Sequence, residues 1–333
     1  MEVAAWSGML TALLGMGVWL LPYVTRFLLE HGLTAINYEG IGIPTGSGLL
    51  LVLLHAIWLL LVWVLVWVLV GLSGIGATAG QEAADALRQA MQLRLDASSY
   101  VAAVLIVGGV GWLDDTVGDR KVKGWGGHWR RWRQDHVLTT GAIKAAGTGL
   151  AAVLAVLARA GLEPTPDAGT ETAIHGMLGA GASLGVAALQ VLLLLLMTNA
   201  LNLLDLRPGR CLKAFLSIAA ILFIAGVSAG AAGDRLGLAS VPFMPLLALV
   251  PAAAGALVLL PGDLGARHML GDAGAGVLGF AAGYAVIGCA PIWMQAGAVV
   301  LLLALHAYAE TRSISAWIEK HRLTRLLDRW GRA

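Results

Sequence analysis

Charged side chains are scarce in this sequence. Asp, Glu, Lys and Arg make up 13% of its 333 residues, whereas hydrophobic residues make up 58%, and the mean hydropathy is +0.79. Soluble globular domains carry about 25% charged residues, so the composition excludes that class. The net charge of +2 also lacks the basic excess that accompanies nucleic-acid binding. The composition therefore indicates an integral membrane protein and predicts no nucleic-acid partner.

Cysteine is nearly absent as well. Cys211 and Cys289 are the two in the chain, and neither lies in a Cys-x-x-Cys pair or in a cluster with histidine. We therefore expect neither a disulfide framework nor a zinc site. The amino terminus lacks a basic flank and a small-residue cleavage site, so we expect its first apolar run to be a retained helix rather than a signal peptide.

Long apolar runs, in contrast, recur along the whole chain. A helix needs about 20 mainly apolar residues to cross a bilayer, and several runs approach that length. The runs cover residues 3–24, 48–73, 100–113, 141–157, 177–198, 213–230, 242–260, 275–290 and 292–309. We therefore expect an all-α, polytopic transmembrane helix bundle of about nine spans, with one membrane domain over residues 1–309 and a tail over residues 310–333.

The distribution of Lys and Arg predicts the orientation, because these residues concentrate in cytoplasmic loops. With the amino terminus outside, 18 of the 22 Lys and Arg residues fall on the cytoplasmic side. The carboxyl terminus then lies in the cytoplasm. Its tail has Leu and Trp residues spaced by three or four with arginines between them, which predicts a basic amphipathic helix on the cytoplasmic leaflet.

Four polar segments interrupt the apolar pattern, and the predicted topology puts all of them at the cytoplasmic face. The adjacent carboxylates Asp114 and Asp115 end the third run, where they are costly unless they serve a cation or phosphate chemistry. The other three segments are the Gly- and Pro-containing loop from Asn37 to Gly48, the run Asn199-x-x-Asn202-x-x-Asp205, and Gly271-Asp272-Ala273-Gly274.

These segments, in this order, resemble the polyprenyl-phosphate N-acetylhexosamine-1-phosphate transferase family, which includes the phospho-MurNAc-pentapeptide translocase. The resemblance implies an enzyme of the bacterial plasma membrane, with a cytoplasmic active site, that serves cell-envelope polymer synthesis. Such enzymes transfer a HexNAc-type sugar 1-phosphate from a UDP-sugar to polyprenyl (undecaprenyl) phosphate and release UMP. The implied cofactor is Mg²⁺, with Mn²⁺ as the alternative, and both the particular sugar and a homodimer stay open.

The resemblance also implies roles for individual residues. Asp272 and Asn202 correspond to metal ligands. The residues expected to be catalytic are Asp114, Asp115 and Asp205, with the Asp pair acting on the lipid phosphate and the nucleotide. The residues expected to bind substrate are Asn37, Lys144, Asn199 and Arg312.

The chain departs from the family pattern at three places. Asp205 is followed by Leu206-Arg207-Pro208-Gly209, without a second Asp, and Ala275 stands where a Ser often follows the Gly-Asp motif. Residues 306–312 stand where the family has a His-rich loop. The alternative function is therefore a lipid-binding or transport membrane protein on the same scaffold, altered in its catalysis.

Each candidate residue also has a structural alternative. Asp114 and Asp115 would then simply end a helix, and Asp272 would cap the helix that follows it. The amides would link helices by hydrogen bonds. Asp205 would form a surface ion pair with Arg207, and Lys144 would extend its ammonium to the membrane interface.

Arg312 offers a test of the altered pattern near the carboxyl end. In place of the family's histidines, its guanidinium would bind phosphate oxygens in a bidentate manner. We predict that Arg312→Ala lowers both turnover and nucleotide affinity, measured with a UDP-sugar as donor. Unchanged values for both would remove Arg312 from the site.

Overall fold

The helices of this chain pack around one buried helix near the carboxyl end. The structure is a computed structural model, and it describes residues 2–37, 39–76, 81–118, 133, 139–162, 173–232 and 243–332. The amino-terminal half contains α1 (Glu2–Glu30), β1 (Thr34–Ile36), β2 (Gly42–Pro44), α2 (Leu49–Gly76), α3 (Gln81–Val117) and α4 (Thr140–Leu162). The carboxyl-terminal half contains α5 (Ala173–Leu204), α6 (Arg210–Ala232), α7 (Phe243–Leu247), α8 (Leu249–Leu264), α9 (Gly271–Cys289), α10 (Ile292–Thr311), α11 (Ile314–Lys320) and α12 (Arg322–Arg329).

Eight segments among the described residues are helical, long enough and apolar enough to cross a membrane. They lie in α1 to α5, in α7 together with α8, in α9 and in α10. This confirms the predicted class, an all-α bundle of membrane helices. Helix α6 lies where the sequence predicted the sixth span but is not one of the eight segments. The count of nine spans and the orientation stay predictions.

Two helices extend further than the apolar runs predicted. Helix α3 is continuous over 37 residues, whereas we expected a short span over residues 100–113 after a separate helix. Residues 81–99 contain no Gly or Pro and are rich in Ala, Leu, Gln and Arg, so nothing breaks the helix there. Helix α5 likewise continues through Asn199 and Asn202 to Leu204, so both amides project from helical backbone.

The Gly- and Pro-containing loop after α1 folds as an antiparallel hairpin. Strand β1 pairs with β2 so that Ala35 lies opposite Ile43. Beyond β2, the backbone N–H groups of Ser47 and Gly48 donate to the carbonyls of Met269 (3.1 Å) and Leu270 (2.9 Å). The hairpin is thereby fixed to the segment that leads into α9.

Helix α9 is the centre of the bundle. Buried residues make up 83% of its membrane span, compared with 11% of the span in α10. Its neighbours approach closely because small residues line the contacts: a Cβ on Gly48 would lie 2.2 Å from the Cα of Gly274, and one on Gly111 would lie 2.7 Å from the Cα of Ala273. Lipid tails are as apolar as the helices, so the hydrophobic effect does not drive membrane helices together. Close van der Waals contacts of this kind hold them together instead.

The tail differs from the single amphipathic helix that we predicted. It forms two short helices, α11 and α12, separated at His321, where the backbone is extended (φ −95°, ψ 129°). Helix α12 exposes Leu323 and Leu326 but buries the side chain of Asp328, which is 8% exposed. The tail therefore packs against the bundle through a charged residue.

The close contact between α3 and α9 generates a stability prediction. Gly111→Ala would place a methyl group against the backbone of Ala273, so α3 must move, at a cost of about 1–3 kcal/mol. The matched control is Gly109→Ala on the same helix, because a Cβ there meets nothing within 4 Å. Ala in place of Gly at that position should be neutral or stabilise by about 0.5–1 kcal/mol. Thermal unfolding of the two variants in detergent measures the difference, and equal melting temperatures would contradict the tight contact.

Candidate functional site

Four helix ends meet at one end of the bundle. Helices α3 and α5 bring their carboxyl ends, which carry Asp114 and Asn202. Helices α4 and α9 bring their amino ends, which carry Lys144 and Asp272. These residues come from four different helices, so the contacts between them depend on the tertiary fold.

Lys144, Asn202 and Asp272 form a closed set of hydrogen bonds. The Nζ of Lys144 lies 2.7 Å from Oδ2 of Asp272, and the two side chains are 17% and 31% exposed. The amide of Asn202 donates to Oδ1 of Asp272 at 2.8 Å and accepts from Nζ of Lys144 at 3.1 Å, in the orientation assigned from these partners. Each polar group is therefore satisfied while remaining partly accessible to a ligand.

Asp114 completes this group, which we call the acid cluster: Asp114, Lys144, Asn202 and Asp272. The carboxyl of Asp114 lies within hydrogen-bonding distance of the carboxyl of Asp272 and of the Thr140 hydroxyl. Two carboxylates so close together repel each other when both are ionised. Lys144 offsets part of that repulsion, and a bound cation would offset more.

Asp115 has different surroundings, although it is the next residue. Its carboxylate accepts hydrogen bonds from the backbone N–H groups of Asp272 (2.8 Å) and Ala273 (3.0 Å). Gly271, which precedes them, has φ +79°, and a Cβ there would lie 2.7 Å from Oδ2 of Asp115. Asp115 therefore satisfies the exposed donors at the start of α9 and lies where that helix end favours negative charge.

Asp205 binds the same helix end. The backbone N–H of Gly271 faces its carboxyl and favours the ionised form. Burial, followed by the negative charges of Asp263, Asp272 and Asp115, raises the pKa of Asp205 well above its usual value. Asp115 accepts two donors of the first turn of α9, and Asp205 lies against the N–H that precedes them. In this geometry both acids hold the helix that carries Asp272.

Asp263 is part of this end of the bundle and was not predicted from the sequence. Its Oδ2 accepts a hydrogen bond from the backbone N–H of Gly209 at 2.6 Å, and the residue is 5% exposed. It thereby fixes the loop after α5 to the end of α8. A signal was present, since Asp263 follows Pro261-Gly262 at the end of an apolar run, as Asp114 follows another.

His268 is a second unpredicted residue near the start of α9. It is buried, and neither ring nitrogen has a hydrogen-bond partner in the part of the chain that the structure describes. Burial, then the charge of Arg267, lowers the pKa of His268 to about 4. The imidazole is therefore neutral at physiological pH and supplies no positive charge to a phosphate.

Two of the predicted substrate-binding residues have other surroundings. The side-chain oxygen of Asn37 accepts from the backbone N–H groups of Glu39 and Ile41, each at 2.9 Å, and so closes the turn of the hairpin. Asn199 is exposed on α5, about one helical turn before Asn202.

Arg312, the remaining predicted substrate-binding residue, lies where α10 meets the tail. Its guanidinium is 5.9 Å from the centre of the Tyr308 ring. It lines a groove of about 440 Å³ together with Trp317, Lys320 and His321. The described surroundings of Arg312 thus belong to α10 and the tail rather than to the acid cluster.

No protein-family model and no curated protein matches the chain. The features that characterise the acid cluster are its own geometry and the sequence motifs that form it.

The donor set of the acid cluster decides which metal it would suit. Asp114, Asp272 and Asn202 offer oxygen atoms, the donors that Mg²⁺ and Mn²⁺ prefer. Among the described residues, no three His, Cys, Asp or Glu side chains are grouped to hold a metal ion. Mg²⁺ commonly uses one or two carboxylates and completes its shell with water and substrate phosphates. The residues fit a metal that is shared with a phosphate substrate.

The different surroundings of Asp114 and Asp115 generate a stability prediction. Asp115→Asn places an amide NH₂ against a backbone N–H at the start of α9, which leaves a buried donor unpaired at a cost of about 1–3 kcal/mol. Asp114→Asn, the matched control on the adjacent residue, removes carboxylate repulsion and should change stability by less than about 0.5 kcal/mol. Thermal unfolding in detergent measures the stability of both variants. A larger loss of stability in Asp114→Asn than in Asp115→Asn would refute the capping role of Asp115.

Proposed function

We propose that the chain is a membrane transferase that moves a HexNAc-type sugar 1-phosphate from a UDP-sugar to polyprenyl phosphate and releases UMP. The observation that carries the proposal is the acid cluster itself. Two carboxyl groups, an amide and a lysine from four helices meet at one end of a membrane helix bundle. In such a bundle, ionisable groups of this density mark a functional site.

The chemistry requires two anionic substrates to meet. An oxygen of the lipid phosphate forms a bond to the sugar-linked phosphorus of the UDP-sugar. The bond from that phosphorus to the bridging oxygen breaks, and UMP leaves with the electron pair. Repulsion between the phosphates opposes the approach, so positive charge at the site lowers the barrier.

The acid cluster provides groups for each of these needs. Asp272 and Asn202 would hold Mg²⁺, or Mn²⁺, through oxygen donors. When bound, the metal neutralises diphosphate charge and stabilises the leaving phosphate. Lys144 would bind the diphosphate, because its ammonium lies 2.7 Å from Asp272 and would turn to the substrate phosphates where that carboxylate holds the metal. Asp114 would orient the lipid phosphate and accept its proton when it carries one.

Asp115 and Asp205 have positioning roles in this proposal, although the sequence motifs implied catalytic ones. Their carboxylates are engaged with the backbone N–H groups of α9, so they are poorly placed to take a proton from a substrate. By fixing the first turn of α9, they determine where Asp272 projects. We further propose that this end of the bundle faces the cytoplasm of a bacterial cell, because the charge distribution favours that orientation.

Release of UMP provides the direct test of this function. Purified protein in detergent, given UDP-GlcNAc, UDP-MurNAc-pentapeptide or other UDP-sugars with undecaprenyl phosphate and Mg²⁺, should release UMP from at least one donor. We expect Asp114→Asn and Asp272→Asn each to lower that rate by at least about 10²-fold, because each removes charge from the reacting centre. Chelation of the metal should stop the reaction in the wild-type protein.

The control variant is Glu310→Gln, which changes an exposed carboxylate at the end of α10. It should retain the wild-type rate. Binding of polyprenyl phosphate without metal, and without UMP from any donor, would contradict the transferase. That result would favour the alternative, a lipid-binding or transport protein on the same scaffold.

A further inference from the structure

We infer that the carboxyl-terminal tail is a positioning element of the acid cluster, acting through an ion pair between Asp328 of α12 and Arg210 at the start of α6. The tail would then hold the loop over residues 205–209, and the loop would hold the first turn of α9. The activity part of this inference rests on the proposed transferase. The structural part can be tested without it.

The ion pair between Arg210 and Asp328 is bidentate and buried. The Nε of Arg210 lies 2.8 Å from Oδ1 of Asp328, and its Nη2 lies 3.1 Å from Oδ2. The two side chains are 6% and 7% exposed. Parallel hydrogen bonds of this kind fix the relative orientation of both groups, and a buried charge is costly once its partner is removed.

Other polar groups fasten the same two segments together. The third guanidinium nitrogen of Arg210 donates to the Ser315 hydroxyl at 2.9 Å. Arg332 donates to Asp328 at 2.7 Å and to the carbonyl of Pro208 at 2.8 Å. Lys213 binds the last carbonyls of α12, including those of Leu327 and Asp328 at 2.8 Å each. The contact therefore joins the loop to the whole end of the tail.

The loop passes this constraint to the acid cluster. It contains five residues, 205–209, so tethering one end restricts the other. At its first residue, the carboxyl of Asp205 faces the N–H of Gly271. At its last, Gly209 has φ +74°, donates to Asp263 at 2.6 Å, and lies against Leu264, which a Cβ would approach to 2.3 Å. The loop is thus held between the tail and the helix that carries Asp272.

The charge of Asp328 is maintained at physiological pH. Burial alone would raise the pKa of Asp328, but hydrogen bonds and charge from Arg210, together with the charge of Arg332, hold that pKa below its usual value. The ion pair therefore keeps the tail docked as the pH varies around neutrality, as a constant positioning role requires.

Hydrogen exchange in the full-length protein tests the structural coupling. In Asp328→Asn, we expect amide exchange to rise by about tenfold or more in peptides covering residues 202–213 and 268–275 as well as in the tail. Asp328→Glu, which keeps the charge, should restore most of the protection. The matched control is Arg322→Gln, an exposed residue of the same tail, which should leave all three peptides unchanged. A peptide from α2 provides the internal reference for global stability.

Faster exchange confined to residues 313–332 would overturn the inference, because the tail would then undock without effect on the loop or α9. If Asp328→Asn raises exchange in α2 as well, the substitution has lowered global stability. Exchange is then compared between Asp328→Glu and Arg210→Lys. Arg210→Lys keeps the charge but loses the bidentate geometry, so it should raise exchange in residues 202–213 and 268–275 and leave α2 protected. No rise in either peptide would count against the inference.

Steady-state kinetics separate positioning from anchoring. In Asp328→Asn, we expect kcat for UMP release to fall about tenfold, with KM for the UDP-sugar changed less than about twofold, because a misplaced cluster slows the reaction more than binding. If Asp328→Asn shows faster exchange at α9 but an unchanged kcat, the tail does not position the acid cluster for the reaction. Absence of UMP release from the wild-type protein would instead refute the transferase and leave the exchange result to decide the structural part.

Discussion

The start of helix α9 imposes the constraint on which the rest of this end of the bundle depends. A helix leaves its first N–H groups without partners, and at the end of a buried helix water is a poor substitute. Asp115 supplies acceptors from α3, and Asp205, from the loop after α5, places a carboxyl against the N–H of Gly271. In doing so they bring the residues beside them, Asp114 and Asn202, to Asp272. Satisfying a backbone requirement thus assembles the acid cluster.

The apolar pattern predicted the class of fold well and the ends of its elements less well. Long runs of Leu, Ala and Val predicted the bundle because a bilayer core admits few structures other than helices. Helix α3 extended beyond its run because residues 81–99 are polar but favour a helix, and hydropathy does not report on that preference. The tail split at His321 although its Leu and Trp spacing was that of one helix. Local backbone conformation, which spacing does not encode, determined the difference.

The sequence motifs named most residues of the acid cluster but could not assign their partners. Asp114 and Asp115 are adjacent, yet successive helical residues point about 100° apart, so only one of them meets the N–H groups of α9. The choice between them depends on how α3 is rotated in the bundle. The roles of Asp263 and Asp328 were not predicted because they also depend on tertiary structure. Their partners lie 54 and 118 residues away in the sequence. Such distant pairs carry no local signature.

The separation of Arg210 from Asp328 has a consequence during synthesis. At elongation rates of about 5–20 residues per second, the guanidinium precedes its carboxylate by roughly 6–24 s. During that interval a strongly basic side chain at the start of α6 has no permanent partner, so it favours water over an apolar environment. The same arginine is therefore first a solvated charge and later a buried anchor in the finished chain.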